Sequence, residues 1–375
     1  MQHAAGQRYC VVERAARGDR WGRDRGDRTA GAVYCRWLRS IVRPAGRLAV
    51  SGSTDVNLRR IRWRRAIAVV AALGMSLAAC GNSDEDSASD GVTTSSETAG
   101  TSADLDGHLM FSRFDESTHT FISTHIANAD GSEEHELALP GPEGGGRWSH
   151  DGAHIAVMTL IDDERVGTAV IAPDGTVERV LDLPDPTLNL VCVVWSPDDS
   201  RLACEGFDET DSSRNGIYTV NATDGSDLQR LTTAGEGMND LPGDFSPDGT
   251  QFVFKRAADE EDGPLMLVDV AGGEPVVLLT QGGPGRFAPD GSLILTGMPG
   301  GSILVLDLNG ETVEEFHDVN AELFGPVWSP DGDLIAYSRS VGSPHADIFT
   351  SRPDGTERVQ VTHTPDNEIV VEWGR

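Results

Sequence analysis

An aromatic residue, a Ser-Pro-Asp-Gly turn and an apolar run recur in this order along the chain. The fullest copy, PVWSPDGDLIAYS, covers residues 326–338. Related copies are WSHDGAHIAV from Trp148, WSPDDSRLAC from Trp195, FSPDGTQFVF from Phe245 and FAPDGSLILT from Phe287. With Trp373, the six aromatic positions lie 47, 50, 42, 41 and 45 residues apart. Repeats of this length indicate a propeller or a solenoid, in which each unit buries its apolar face against its neighbours.

Each repeat contains enough short β-forming runs for four strands. In the unit that starts at Trp195 these runs include RLACEGF, GIYTVNA and LQRLTT, and no window has a helical periodicity. In the turn, proline sets the first central position, aspartate bonds back to the chain and glycine accepts a left-handed conformation. The aromatic side chain can then fill the seam between blades. We therefore assign the recurring turn aspartates to structure rather than catalysis: Asp151, Asp198, Asp248, Asp290 and Asp331.

A second series of turn-forming dipeptides gives an independent count of the units. These pairs occupy 130–131, 174–175, 224–225, 272–273, 309–310 and 354–355, and each predicts a turn between a third and a fourth strand. The first pair has no aromatic unit before it, whereas Trp373 has no unit after it. We therefore predict that Glu368 to Trp373 form the innermost strand of the first blade. This strand would close a six-bladed ring over residues 105–375 without leaving an exposed sheet edge.

The repeated W-S-P-D-G and the apolar run after it resemble the PD40, or WD40-like, repeats of TolB-type six-bladed propellers. The match is best at 328–337, good at Trp195 and Phe245, and looser at Trp148 and Phe287. The resemblance covers nearly all of 105–375 and implies an all-β propeller with four-stranded blades. TolB carries a small α/β domain before its propeller, whereas we expect only the acidic tether at that place in this chain. The resemblance therefore implies the fold and leaves the function to the residues of the site.

The charge distribution separates the first 80 residues from the remainder. Residues 1–80 hold 16 Lys and Arg against 5 Asp and Glu, whereas residues 81–375 hold 14 against 55, a net charge of 14 − 55 = −41. A basic run, LRRIRWRR, precedes the apolar AIAVVAALGMSLAA and then Cys80. This order is typical of a secretory signal, and the apolar run is shorter than the roughly 20 residues that span a bilayer. LAAC resembles the bacterial lipobox, which predicts lipidation of Cys80.

The sequence therefore predicts four segments. Residues 58–79 are a lipoprotein signal peptide, residues 80–104 an acidic, disordered tether, and residues 105–375 the propeller. Residues 1–57 are either a disordered extension or lie before the true translation start. We expect a protein that is anchored by its lipid to the outer face of the plasma membrane or in the periplasm.

Cys192 and Cys204 are the cysteines that remain in the propeller. An oxidising compartment favours their pairing. Trp195 and Arg201 flank the intervening turn. Residues directly opposite each other in a hairpin have numbers with the same sum, and 192 + 204 equals 195 + 201. We therefore predict a directly opposed cross-strand disulfide.

Several kinds of chemistry find no support in the sequence. No Gly-x-Ser-x-Gly elbow occurs, which argues against an α/β-hydrolase nucleophile. His150 and His154 have the spacing of a zinc pair on a helix, but they lie in a predicted hairpin. His119 and His125 are interpreted as surface histidines. The acidic charge excludes nucleic acid as a partner.

The longer connections should all lie on the face opposite the short hairpins, and they are strongly acidic. Asp240 and Glu322 are placed on connections between blades. Loops on a rigid scaffold usually carry binding, so we predict that this face binds a cationic envelope protein, peptide or glycan. A merely solubilising surface is the alternative. We expect a monomer without a cofactor. The second function considered is a metal-assisted lactonase or lyase, with a divalent cation such as calcium. The candidate binding residues are Asp208, Glu209, Asp211, Asp240, Asp259, Glu260, Glu261, Asp262 and Glu322.

Overall fold

The computed structural model describes residues 107–375, except 116–117, 119, 142–144, 162–164, 259–261 and 343–344. Its strands form six four-stranded antiparallel sheets, the blades of a ring. The segments 1–57, 58–79 and 80–104, with the predicted lipidation site Cys80, lie outside the described residues. Within the described residues, no helix is long and apolar enough to span a membrane.

Each blade consists of four strands, named in order from the innermost to the outermost. Blade 1 contains β24 (Asn367–Gly374), β1 (His108–Phe114), β2 (Phe121–Asn128) and β3 (His135–Leu137). Blade 2 contains β4 (Gly146–Trp148), β5 (Ile155–Leu160), β6 (Val166–Ile171) and β7 (Val177–Val180). Blade 3 contains β8 (Asn189–Trp195), β9 (Arg201–Phe207), β10 (Gly216–Asn221) and β11 (Gln229–Arg230).

The other three blades follow the same order. Blade 4 contains β12 (Asn239–Phe245), β13 (Gln251–Ala257), β14 (Gly263–Asp269) and β15 (Val276–Gly282). Blade 5 contains β16 (Arg286–Phe287), β17 (Ile294–Met298), β18 (Ser302–Leu306) and β19 (Thr312–His317). Blade 6 contains β20 (Glu322–Trp328), β21 (Ile335–Ser340), β22 (Ala346–Ser351) and β23 (Val359–Gln360).

The C-terminal strand closes the ring, as the sequence predicts. β24 pairs antiparallel with β1, from His108 opposite Gly374 to Phe114 opposite Asn367. Trp373 is opposite Leu109 and is buried in a cluster with residues of blades 1 and 6. The first blade is thus built from both ends of the described chain.

The core is divided into six apolar clusters, one at each seam between blades. The repeated aromatic residues occupy these seams. Trp148 packs between blades 1 and 2, Trp195 between blades 2 and 3, and Trp328 between blades 5 and 6. The aromatic therefore holds neighbouring blades together, which explains its recurrence at the end of each innermost strand.

The Ser-Pro-Asp-Gly turns lie together on one side of the disc, which we call the turn face. In blade 2, Asp151 Oδ1 accepts hydrogen bonds from Ser149 Oγ and from the Ala153 amide, and the bond from Ser149 lowers the pKa of Asp151. Gly152 follows with φ of +70°. The carboxylate is thus committed to the turn, which confirms the structural interpretation of the repeated aspartates.

Successive turns touch around the turn face through a proline of one blade and a glycine of the next. Gly332 lies so close to the proline of the preceding blade that a Cβ added to it would be 3.2 Å from Pro289 Cδ. In the same way, a Cβ added to Gly249 would be 3.9 Å from Pro197 Cδ. Between blades 2 and 3 both partners are replaced, by His150 and Asp199. Asp199 Oδ1 accepts from the His150 amide at 2.9 Å and lies 3.0 Å from His150 Nδ1. The two departures from the repeat therefore form one contact.

Cys192 and Cys204 face each other on β8 and β9 and form the predicted disulfide. The detailed register differs from the prediction. Trp195 is opposite Leu202 rather than Arg201, because a bulge shifts the register between Cys192 and Val194. The cysteines pair correctly because they lie on the far side of this bulge from the turn.

Candidate functional site

The side of the disc opposite the turn face carries the loops between second and third strands and the connections between blades. We call it the loop face. It holds the predicted acidic residues, but the structure separates them into buried and exposed groups. Asp208 is buried, and its carboxylate accepts from the Thr210 amide at 2.8 Å and from Arg214 Nη1 at 2.6 Å. Asp208 therefore holds its own loop in place and is not displayed to a partner.

Asp240 is likewise a structural residue. It lies within β12 rather than on a connection, is fully buried, and accepts from Arg256 Nε at 2.6 Å and from Thr232 Oγ1 at 2.5 Å. Glu322 is also the first residue of a strand, β20, and is half-buried. The prediction that these two residues lie on connections between blades is wrong, because β12 begins at Asn239 and β20 begins at Glu322.

Of the acidic residues predicted for the loop face, Glu209, Asp211 and Asp262 are exposed. Asp211 also caps the short 3-10 turn Ser212–Arg214 by accepting from the Ser213 amide at 3.1 Å. Asp259, Glu260 and Glu261 lie outside the described residues. The negative charge that this face displays therefore comes from fewer side chains than the sequence suggests.

Three arginines on this side are held by acidic neighbours. Arg256 pairs with Asp240, Arg339 pairs with Asp318 at 2.9 Å, and Arg214 bridges Asp208 and Asp185. Arg230 is exposed and donates to the carbonyls of Ser213 and Asn215. Blades 3 and 4 therefore display more acidic than basic side chains on the loop face.

Exposed apolar side chains lie on the same face over blades 6, 1 and 2. Val341 is 56% exposed, Ile122 is 49% exposed, and Leu160 and Ile161 are each 37% exposed. The exposed acids belong to blades 3 and 4. The loop face thus combines an apolar arc with an acidic arc, a composition suited to a partner that is both apolar and cationic.

The two histidines with zinc-like spacing, His150 and His154, contact different acidic partners. His150 contacts Asp199, whereas His154 Nδ1 lies 2.8 Å from Glu178 Oε2. Among the described residues, no group of three or more His, Cys, Asp or Glu could hold a metal ion. His119 lies outside the described residues.

His125 is buried, not at the surface as expected. Its Nδ1 lies 2.9 Å from Glu134 Oε1, its Nε2 lies 2.8 Å from Ser123 Oγ, and Arg113 lies beside the ring. Burial, reinforced by the charge of Arg113, lowers the pKa of His125. Arg113 also donates to the buried Glu368 at 2.8 Å, so this network ties β24 to β1 and β2 within blade 1.

A second charged site lies at the axis of the ring, and the sequence analysis missed it. The residue before the aromatic is Arg147 in blade 2, Asp244 in blade 4, Arg286 in blade 5 and Glu372 in blade 1. We call these four residues the axial cluster. The equivalent positions in blades 3 and 6 are Val194 and Val327.

The axial cluster connects blades that are not neighbours, so its side chains cross the channel. Arg147 of blade 2 donates from Nη2 to the Gly243 carbonyl of blade 4 at 2.8 Å, and its Nη1 lies 3.9 Å from Asp244 Oδ1. Arg286 of blade 5 lies 3.5 Å from Glu372 Oε2 of blade 1. The same oxygen lies 3.4 Å from Arg147 Nε.

A β-bulge accounts for the acidic half of this arrangement. The register of the innermost strand shifts at Gly243 and Val371, each two residues before the aromatic. A bulge leaves its extra residue out of the ladder and redirects the next side chain, here Asp244 or Glu372. The carbonyls of Gly243 and Val371 are the acceptors that face Arg147 and Arg286. The two arginines themselves lie on strands that pair without a register shift.

Burial shifts the acidic members of the axial cluster towards their protonated forms. It raises the pKa of Asp244 to about 6, although Arg147 partly opposes the shift. It also raises the pKa of Glu372, again against the effect of Arg147. The side chains of Asp244 and Glu372 are 24% and 22% exposed, although Glu372 Oε2 itself is buried. The cluster is a charged and largely buried site that could hold a small ion or a charged terminus.

Sequence comparison finds distant relatives only. No protein-family model matches the chain. The uncharacterized protein Atu1656 of Agrobacterium fabrum is 26% identical over 219 residues, which cover 51% of this chain and 68% of that protein. WD repeat-containing protein 1 of Gallus gallus is 36% identical over 77 residues, which cover 20% of this chain and 12% of that protein.

Structural comparison identifies the fold. TolB from Acinetobacter baumannii superimposes with a TM-score of 0.54 and 18% identity over 72% of this chain and 67% of its own. The chain has the TolB-type six-bladed propeller fold. A putative TolB from Agrobacterium tumefaciens gives a TM-score of 0.50 and 15% identity over 72% of this chain and 99% of its own. At these identities the likeness between this chain and the two TolB structures shows a shared architecture and says nothing about partners.

Proposed function

We propose that this TolB-type propeller is a protein-binding module of the cell envelope that captures a cationic partner on its loop face. The observation that carries the proposal is that the loop face displays an acidic arc and an apolar arc side by side. Glu209, Asp211 and Asp262 are exposed on blades 3 and 4, and Val341, Ile122 and Leu160 are exposed on blades 6, 1 and 2. A basic and apolar segment of a partner would complement both arcs.

Site-directed photo-crosslinking on intact cells tests this proposal. A photoreactive residue at Ile161 reports on the loop face, and the same residue at the exposed Val313 of β19 serves as the matched control. We expect a discrete adduct from Ile161, and none or a different one from Val313. Equal adducts from both positions would show that the contact is not specific to the loop face.

Charge neutralisation separates a binding face from a solvated surface. The variant Glu209→Gln, Asp211→Asn, Asp262→Asn should reduce adduct formation and weaken its dependence on salt, because salt screens the attraction between exposed charges. The control variant Glu314→Gln, Glu315→Gln, Asp333→Asn removes three exposed charges elsewhere and should leave the adduct unchanged. Retention of both yield and salt dependence in the first variant refutes an electrostatic role of the loop face.

Membrane attachment through Cys80 is part of the same proposal. The supporting observation is the order of basic residues, apolar residues and cysteine in the sequence. Cys80→Ser should release the propeller from the membrane fraction or block its processing. Normal processing with unchanged membrane retention would contradict lipid attachment at Cys80.

A further inference from the structure

The axial cluster follows an approximate twofold pattern around the ring. Blades 1 and 4 supply the acids Glu372 and Asp244, and blades 2 and 5 supply Arg147 and Arg286. The backbone contacts repeat this pattern. Trp195 Nε1 donates to the Arg147 carbonyl at 2.9 Å, and Trp328 Nε1 donates to the Arg286 carbonyl at 3.2 Å.

The pattern fails at one place, beside Arg286. Glu372 is long enough to approach both arginines, at 3.4 Å and 3.5 Å. Asp244 is one methylene shorter, and it approaches Arg147 at 3.9 Å while its Oδ2 accepts from the Phe287 amide at 3.2 Å. No ion pair joins Asp244 to Arg286 within the described residues. The guanidinium of Arg286 therefore lacks the second carboxylate that the pattern would give it.

The hydrogen bonds of Arg286 show the same deficit. The residue is more than nine-tenths buried, and its Nη1 lies 3.5 Å from Glu372 Oε2 but makes no hydrogen bond to any described residue. Other arginines of the propeller are held more tightly, such as Arg256 at 2.6 Å from Asp240 and Arg113 at 2.8 Å from Glu368. A buried charge with long contacts is costly, and an additional anionic oxygen would lower that cost.

We propose that Arg286, beside Asp244 in the axial channel, binds a carboxylate group. The planar guanidinium of arginine matches a carboxylate, and Nη1 is its donor without a hydrogen bond. The neighbouring side chains of Asp244 and Glu372 are 24% and 22% exposed, whereas Nη1 itself is buried, so a ligand would reach it from the side of these two acids. The carboxylate could belong to a small organic acid or to the C-terminus of a peptide. This site is independent of the loop face.

The neighbours of the site set the expected pH dependence. The charged groups around Asp244 are Arg147, Glu372 and His150. When Asp244 takes up a proton, a negative charge next to the incoming anion disappears, whereas Arg147 and Arg286 keep their charges. We therefore expect carboxylate binding to strengthen as the pH falls through about 6, the raised pKa of Asp244.

Titration of the full chain with defined carboxylates tests the site. The probes are acetate, an N-acetylated tripeptide with a free C-terminus, and the same tripeptide as its C-terminal amide. Calorimetry at pH 5.5 and pH 7.5 should show saturable binding that is tighter at the lower pH and absent for the amide. Binding of acetate alone identifies a small-acid site, and much tighter binding of the tripeptide acid identifies a site for a peptide terminus.

Two variants distinguish the proposal from a purely structural role. Asp244→Glu adds the missing methylene, so it should supply the second carboxylate, weaken binding at least tenfold and raise the melting temperature. Arg286→Gln should weaken binding to the same extent without that stabilisation. Arg352→Gln, at an exposed ion pair with Glu357, should leave binding unchanged.

Three results would overturn the inference. They are no saturable binding of either acid at pH 5.5, equal binding of the tripeptide acid and amide, and unchanged binding in Arg286→Gln. If Asp244→Glu fails to fold, the loss of binding in folded Arg286→Gln and the pH dependence of the wild type still decide the question.

Discussion

Closure of the ring by β24 predicts that Trp373, three residues from the C-terminal end of the chain, stabilises the whole propeller. Residues this close to a chain end are ordinarily poorly ordered and tolerant of change. Trp373 is only 5% exposed and packs with Leu109 of β1 and Val327 of β20. Trp328 occupies the same position of the repeat in blade 6 and is 8% exposed. It is therefore a matched control from the interior of the chain.

We expect Trp373→Ala and Trp328→Ala to destabilise the propeller by similar amounts. Truncating a buried tryptophan to alanine costs about 3–5 kcal/mol, because apolar contacts are lost and a cavity remains. At about 2–4 °C per kcal/mol for a domain somewhat smaller than this, the melting temperature should fall by on the order of 10 °C. Far-UV circular dichroism is the appropriate assay, since it does not depend on the tryptophan that has been removed.

Hydrogen exchange tests the same closure at the backbone. Removing Glu368 to Arg375 should abolish the slow exchange of those β1 amides that donate to β24, because β24 is the partner of β1 on the axial side. The reasoning is refuted if Trp373→Ala stays within about 1 kcal/mol of the wild type while Trp328→Ala loses about 3 kcal/mol or more.

Three further predictions concern the disulfide, the turn face and a buried acid. Replacing Cys192 and Cys204 together by alanine should cost up to about 3 kcal/mol and make the urea midpoint insensitive to reductant; an unchanged midpoint contradicts a stabilising bond. His150→Pro and Asp199→Gly should each destabilise alone and compensate together, which a double-mutant cycle measures as a coupling energy; strict additivity contradicts a shared contact. Burial raises the pKa of Glu205 from its ordinary 4.5 to about 8, so the folded state holds a proton that the unfolded state releases. Stability should therefore fall as the pH rises from about 4.5 to about 8, and Glu205→Gln should flatten that slope in urea titrations at several pH values.

The fold could be predicted from the sequence because each level of the pattern gives the same answer. The six aromatic positions and the six hairpin dipeptides give the same count, the five Ser-Pro-Asp-Gly turns follow the same spacing, and the unmatched Trp373 identifies the closing strand. The register near Trp195 was less accessible. The bulge at Val193 depends on backbone geometry that the hairpin arithmetic does not contain, and it shifts the partner of Trp195 to Leu202.

The candidate sites were harder to predict because they depend on contacts between distant residues. An acidic loop looks exposed in sequence, but Asp240 is neutralised by Arg256 on the neighbouring strand, and Asp208 by Arg214 across its own loop. Such pairing decides which acids are displayed, and it is fixed by strand ends and loop conformation. The axial cluster has a sequence signal, the residue before each repeated aromatic. That signal becomes informative only when the contacts between blades that are not neighbours show that these side chains meet across the axis.

Comparison among the repeats of one chain separates structural positions from specialised ones. Where every blade needs the same contact, the residue type recurs, as it does for the seam aromatics and the turn aspartates. Where the residue type changes from blade to blade, its role belongs to one blade or one contact. The residue before the aromatic is arginine, aspartate, glutamate or valine, although in all six blades it precedes an aromatic residue at a seam. The replacements at His150 and Asp199 stand apart in the same way, and they account for each other by hydrogen bonding. The axial charges are not satisfied to that extent, because Arg286 Nη1 has no hydrogen bond within the described chain. Their variation is therefore not explained by stability alone, and the axial channel, rather than the repeated framework, is where a ligand-dependent role is to be sought.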